Sequence, residues 1–291
     1  MASHPALGTI GIWTGALHST DPAKHSQVRE AAAEVDELGY GALWLGGSPS
    51  PDEAAFLLDA TSRITVATGI LNIWDHEPGS VAERYAAIDA THEGRFLLGL
   101  GVSHGQLVDR YARPYSAMKD YLTALDSAPT PVPASHRVLA ALGPKMLELS
   151  RDRAAGAHPY LVTPEFTASA REILGNEALL APELKVVLDP DRERARATAR
   201  NYLSFYLGLP NYTNNLLRLG FSEKDFADGG SDHLIGSVFV LGDAEAVRRR
   251  VDEFLAAGAD HLAIQVVTAN AFEDMPRAEW RTLAEALPLR G

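Results

Sequence analysis

RFLLGLGVSHG, residues 95–105, is the stretch whose reading decides the fold. From Phe96 to Val102 every position is apolar or glycine, so the run lacks the alternation of a strand with one wet face. It reads as a parallel strand covered on both sides, with Ser103 and His104 placed where such a strand emerges. Seven more short runs rich in Leu, Ile and Val recur along the chain, near Leu7–Trp13, Gly41–Leu45, Ile64–Leu71, Arg137–Leu142, Gly156–Val162, Glu183–Asp189 and Asp260–Val267. Between them lie amphipathic stretches. Val28, Ala32, Val35 and Leu38 stand at helical spacing before Gly39, and Val247, Val251, Phe254 and Leu255 precede Gly258. Start signals repeat at Pro78, Pro144 and Asp243. The alternation predicts α/β architecture, which an open doubly wound sheet also satisfies. The single rhythm over 291 residues favours one (β/α)8 TIM barrel spanning 1–291.

Composition narrows the function classes. With 26 basic against 38 acidic side chains the formal net charge is −12, which argues against nucleic acid as a partner, since a grip on phosphates needs a basic face. The chain has no cysteine, so thiolate nucleophiles, thiolate zinc sites and iron–sulfur clusters are excluded. No run of 18 apolar residues occurs, and the amino end lacks the basic and apolar regions of a secretory signal, so a cytoplasmic protein without membrane contact is expected. The ten histidines show no His-Glu-x-x-His pattern and no metal is expected; no Gly-x-Ser-x-Gly elbow supports a serine nucleophile.

One interval breaks the rhythm. Residues 190–241 hold a charged helical stretch ending in Tyr202, Phe205 and Tyr206, then Asn211, Tyr212, Asn214 and Asn215, then Gly229 and Gly230. Leaving the seventh strand at the carboxyl-terminal face, this insertion reads as a lid over the barrel mouth. At the same rim the third strand gives Asn72, Ile73 and Trp74, where an indole beside polar groups can stack on a flat ligand. The glycines at 99, 101 and 105 let a ligand approach the backbone, and His104 follows them. Gly143, Pro144, Lys145 and Met146 open a helix whose free amides suit a phosphate, while His158 and Tyr160 form a second polar cluster after strand six. Each has a plainer reading, as an interfacial Trp, a structural His or a strand-to-helix turn.

Taken together, TGILNIW (68–74), RFLLGLGVSHG (95–105), LAALGPKMLEL (139–149), GAHPYLVTPE (156–165) and LGLPNYTNNLLRLGF (207–221) resemble the luciferase-like monooxygenase superfamily, and within it the actinobacterial branch of F420 (deazaflavin)-dependent oxidoreductases. The resemblance implies a TIM barrel with a helical insertion after strand 7, a homodimer, and a flavin or deazaflavin across the mouth. It implies a third-strand bulge with a non-prolyl cis peptide behind the cofactor ring, which falls at Asn72–Ile73. On this reading the ring rests on Leu71, Asn72, Ile73, Val102 and Ser103, with His158 beside it. The cofactor phosphate sits on Leu142, Gly143, Pro144, Lys145 and Met146. His104 stands where relatives often place an acid, and with Trp74 makes the catalytic pair; Trp13, Tyr160, Asn211 and Tyr212 face the substrate as walls and lid. Two departures limit the carry-over. Strand two ends in Gly46, Gly47 and Ser48 rather than an Asp-His pair, and no lysine follows strand six, so a sugar phosphate is a poor substrate for this rim.

The expectation is an F420-dependent oxidoreductase moving a hydride between the deazaflavin and a small organic molecule. The alternatives are an FMN-dependent luciferase-like monooxygenase, and a cofactor-binding protein without turnover. Lys145, Arg110 and Arg113 are the cations expected near an exit for F420's anionic tail.

Overall fold

A computed structural model describes residues 4–18, 21–109 and 111–289; Arg110 lies outside the described residues. Eleven strands occur among them. They are β1 (Ile10–Thr14), β2 (Ala42–Leu45), β3 (Thr65–Thr68), β4 (Leu71–Asn72), β5 (Phe96–Gly101), β6 (Arg137–Leu139), β7 (Gly156–Ala157), β8 (Leu179–Leu180), β9 (Glu183–Val187), β10 (Phe239–Leu241) and β11 (Leu262–Val266). The helices between them are α1 (His25–Leu38), α2 (Pro51–Leu58), α3 (Pro78–Thr91), α4 (Pro114–Asp126), α5 (Pro144–Arg153), α6 (Pro164–Leu174), α7 (Arg192–Leu207), α8 (Pro210–Arg218), α9 (Asp232–Val238), α10 (Ala244–Ala256) and α11 (Arg277–Ala286). Proline at the first turn recurs in α2 to α6 and α8, where its missing N–H costs nothing.

The strands pair in parallel, in the order β10-β9-β11-β1-β2-β3-β5-β6-β7-β8, with β4 on β5. β8 and β9 are halves of one extended stretch. Its first half bonds to β7, continued by Ala181 N to Ala157 O and Glu183 N to Pro159 O, and its other edge bonds to β11. That stretch therefore closes the sheet into a ring, a TIM-type barrel. All eight expected strand regions carry ring strands; β10, which pairs with the upper half of β9, was not expected. Apolar alternation on buried strands explains the interior. Ile10, Ile12, Leu43, Leu45, Leu98 and Leu100 are fully buried in the largest core, while Trp44, Ala67, Leu97 and Ala263 fill a second one.

The third barrel strand differs from expectation in detail. The cis peptide is Gly69–Ile70, not Asn72–Ile73. Ala67 pairs with Leu97 and Leu71 with Leu100, so four steps on one strand match three on its neighbour. The extra residue is a bulge that divides β3 from β4. Asn72–Ile73 lies beyond it, where Ile73 N bonds Gly101 O.

Residues 192–238 hold α7, α8, a short 3-10 stretch and α9 before β10 returns to the sheet. Their apolar faces form a separate core of Leu203, Tyr206, Tyr212, Leu216, Leu234 and Ile235 against Phe239.

Candidate functional site

All ring strands point their carboxyl ends to one rim, and a cavity of about 320 Å3 opens there beyond β5 and β6. That lies at the small end of ligand sites. Its floor is narrow because the residues are small: Gly101, Ala140 and Ala141 line it beside Ile70. A Cβ on Gly101 would stand 2.4 Å from Ile70 Cδ1 and 3.4 Å from the Ala140 methyl, so glycine keeps this slot open. At Gly143 an added Cβ would meet nothing within 4 Å, which marks an unfilled edge.

Ser103 and His104 follow β5 after Val102, Ser103 with a left-handed φ of 55°. His104 lines the cavity, its ring 5.1 Å from that of Tyr212, and its Nδ1 is buried with no hydrogen-bond partner. Burial holds its pKa below the ordinary histidine value, so the ring is neutral at pH 7. The other wall is one face of α8, presenting Asn211, Tyr212, Asn214 and Arg218. Asn211 Nδ2 reaches to 3.4 Å from Ser103 O, joining α8 to the end of β5 across 108 residues of sequence.

Of the expected residues, Val102, Ser103, His104, Leu142, Gly143, Met146, Tyr160, Asn211 and Tyr212 share this cavity. The rest lie behind or beside it. Leu71, Asn72 and Ile73 are buried, Asn72 donating to Asp75 Oδ2 at 2.6 Å. Trp74 turns its indole N–H onto Val102 O at 2.7 Å, securing the end of the strand that carries His104. Trp13 donates to Gly69 O at 3.0 Å and packs on Tyr160. Pro144 and Lys145 are exposed, outside the cavity wall. His158 is fully buried, stacked on Trp44 at 4.1 Å with Nδ1 donating to Ala181 O. Among the described residues no three His, Asp or Glu converge as a metal site.

Sequence reading missed a charged centre under the floor. Glu183 and Lys185 point to the same side of β9 and are 1% and 0% exposed, with Nζ donating to Oε2 at 2.6 Å. The ammonium lies 3.4 Å from the centre of the Tyr160 ring, and Tyr160, Tyr202 and Tyr206 share hydroxyl hydrogen bonds of 2.8–3.1 Å, with Gln265 as a further partner. Burial lowers Lys185 to about 8 and raises Glu183, while their mutual attraction opposes both shifts. The spacing of two charges two residues apart in an otherwise apolar strand was the available signal.

Residues 9–128 match the family model described as luciferase-like monooxygenase. Over 91% of this chain and 96% of the relative, the sequence is 23% identical to a Mycobacterium tuberculosis protein named "Putative coenzyme F420-dependent oxidoreductase Rv3520c". Its fold matches an F420-dependent secondary alcohol dehydrogenase, solved with an F420-acetone adduct, at a TM-score of 0.74 and 14% identity, covering 98% of this chain and 99% of that one. It also matches the oxygenating constituent of 3,6-diketocamphane monooxygenase from Pseudomonas putida, solved with FMN, at a TM-score of 0.69 and 12% identity, covering 97% and 98%. These relatives and fold neighbours are oxidoreductases and monooxygenases by name.

Proposed function

We propose that the chain is an F420-dependent oxidoreductase that moves a hydride between the deazaflavin and a small alcohol or carbonyl compound. The observation that carries this reading is the cavity itself, a glycine- and alanine-floored slot at the barrel mouth with a neutral, unpartnered imidazole on its wall. A flat ring system suits that slot, and the open edge at Gly143 leaves room for a tail. The full-length similarity to an F420-type oxidoreductase supports the choice of cofactor.

Val102, Ser103, Leu142 and Gly143 would hold the ring, with the first turn of α5 beyond them. Bound there, reduced F420 supplies a hydride from its ring carbon, and the oxidised form accepts one. The chain supplies placement and the proton. His104, neutral at pH 7, takes the hydroxyl proton of an alcohol as its carbon loses hydride, and returns it to the carbonyl oxygen in the reverse direction. The stretch 190–241 acts as the lid, with Asn211 and Tyr212 closing over substrate and Tyr160 as the end wall. We place the protein in the cytoplasm as a homodimer; light scattering that returned a monomer would remove the second statement.

The second reading, an FMN-dependent monooxygenase, is supported by the FMN-bound fold neighbour. An anaerobic assay with F420 and a panel of secondary alcohols and ketones, following the cofactor's visible absorbance, tests the first. The expected result is a change that needs both protein and substrate. No such change, with substrate-dependent oxygen uptake when reduced FMN is supplied, would transfer the assignment to the monooxygenase reading.

A further inference from the structure

The electrostatic character of the cavity is opposite to that of the molecule. The chain carries 12 more acidic than basic side chains, yet among the described residues no Asp or Glu lines the cavity, and Arg218 is the one Lys or Arg that does. Among the described residues Arg218 has no carboxylate within ion-pair distance. Its guanidinium is 3.4 Å from Asn215 Oδ1, a neutral acceptor. Many other arginines are ion-paired, as in Arg137 with Asp126, Arg171 with Asp260 and Arg200 with Asp232. The first turns of α4 and α5 also meet the cavity, through Pro114, Tyr115, Gly143 and Met146, and helix starts carry positive potential.

We infer that Arg218 is the residue that makes this cavity select an anionic ligand, by holding the phosphate-linked tail of the bound cofactor. This rests on the cofactor reading given above and replaces Lys145 as the main anchor: both side chains are exposed, but Arg218 lines the cavity and Lys145 does not. A guanidinium suits the task because its planar donors match phosphate oxygens in pairs. The position matters as much as the charge. Asn211, Asn214 and Arg218 lie along one face of α8, so a tail held by Arg218 also fastens α8 against the end of β5, where Asn211 meets Ser103 O.

The test compares two ligands on three proteins by fluorescence titration without substrate: F420, and its deazaflavin chromophore lacking the phosphate-linked tail. The wild type should bind F420 about 10- to 100-fold more tightly than the tailless chromophore, the range expected of a hydrogen-bonded charged contact. In Arg218→Gln that preference should fall to within a few-fold, with affinity for the tailless chromophore unchanged, and Arg218→Lys should recover part of it. An unchanged preference in Arg218→Gln would overturn the inference. So would an equal loss of affinity for both ligands, which would mark Arg218 as a support of the cavity's shape. Binding of neither ligand by the wild type would overturn the cofactor reading itself, and with it this inference.

Discussion

His104 shows how much one residue's setting decides. A histidine after a Gly-rich strand end was legible as a candidate, but only the structure shows a buried Nδ1 without a partner and a ring packed on Tyr212. Substitution of His104 by Ala should lower turnover about 10²–10⁴-fold, the usual contribution of a positioned acid or base. It should also remove a limb of the pH–rate profile that lies below pH 6.5, since burial lowers this pKa. Steady-state rates against pH on both proteins check this, and a retained limb would assign the proton to another group. The Glu183–Lys185 pair makes the opposite lesson, for its one mark in the sequence, two charges two residues apart in a strand, does not say that both turn into the barrel. Removing one partner, as in Lys185→Met, leaves a buried carboxylate unpaired and should cost about 3–5 kcal/mol. The double variant Glu183→Gln with Lys185→Met should recover most of that loss, measured by urea unfolding. If both variants unfolded alike, the pair would have no mutual role.

At the scale of elements, eight strand regions were legible because each is a short run rich in Leu, Ile and Val, most of them continuously apolar, while the break in the third was not. The Gly69–Ile70 bulge leaves no periodic mark, since TGILN reads equally well as one unbroken strand. The same limit displaced the ring-backing position to Asn72–Ile73. The helix α8 was legible as part of an insertion. Its contribution of Arg218 follows from helical spacing after Asn211 and Asn214, but only if one knows which face turns inward. The slot between β4, β5 and β6 depends on the absence of a side chain at residue 101. Gly101→Val places a branched side chain against Ile70 and Ala140 and should weaken cofactor binding at least tenfold, while overpacking costs about 1–3 kcal/mol of stability. Titration and thermal unfolding of the variant separate the two effects. Undiminished binding would show that the ligand lies elsewhere on the rim.

The whole molecule is a closed ring whose interior keeps two histidines neutral. His261 donates from Nδ1 to Gly8 O and accepts the Trp44 indole N–H on Nε2, so a proton on Nε2 would break the second bond. Burial lowers both His158 and His261 to about 4. The unfolded chain therefore takes up these protons first. Their contribution to stability is complete above about pH 6.5 and declines as pH falls through 6.5 toward 4. Linkage at 1.36 kcal/mol per pKa unit makes the loss about 2 kcal/mol for each by pH 5. Urea midpoints at pH 7 and pH 5 should differ accordingly, and equal midpoints would contradict the neutral pair. The barrel, its rim and most of the cavity strands were legible from sequence; the cofactor rests on how the rim is assembled. The most direct measurement is an anaerobic fluorescence titration of the wild-type protein with F420 and, separately, with FMN. Saturable micromolar or tighter binding of F420, with FMN much weaker, is the predicted result. A preference for FMN, or binding of neither, would contradict the account.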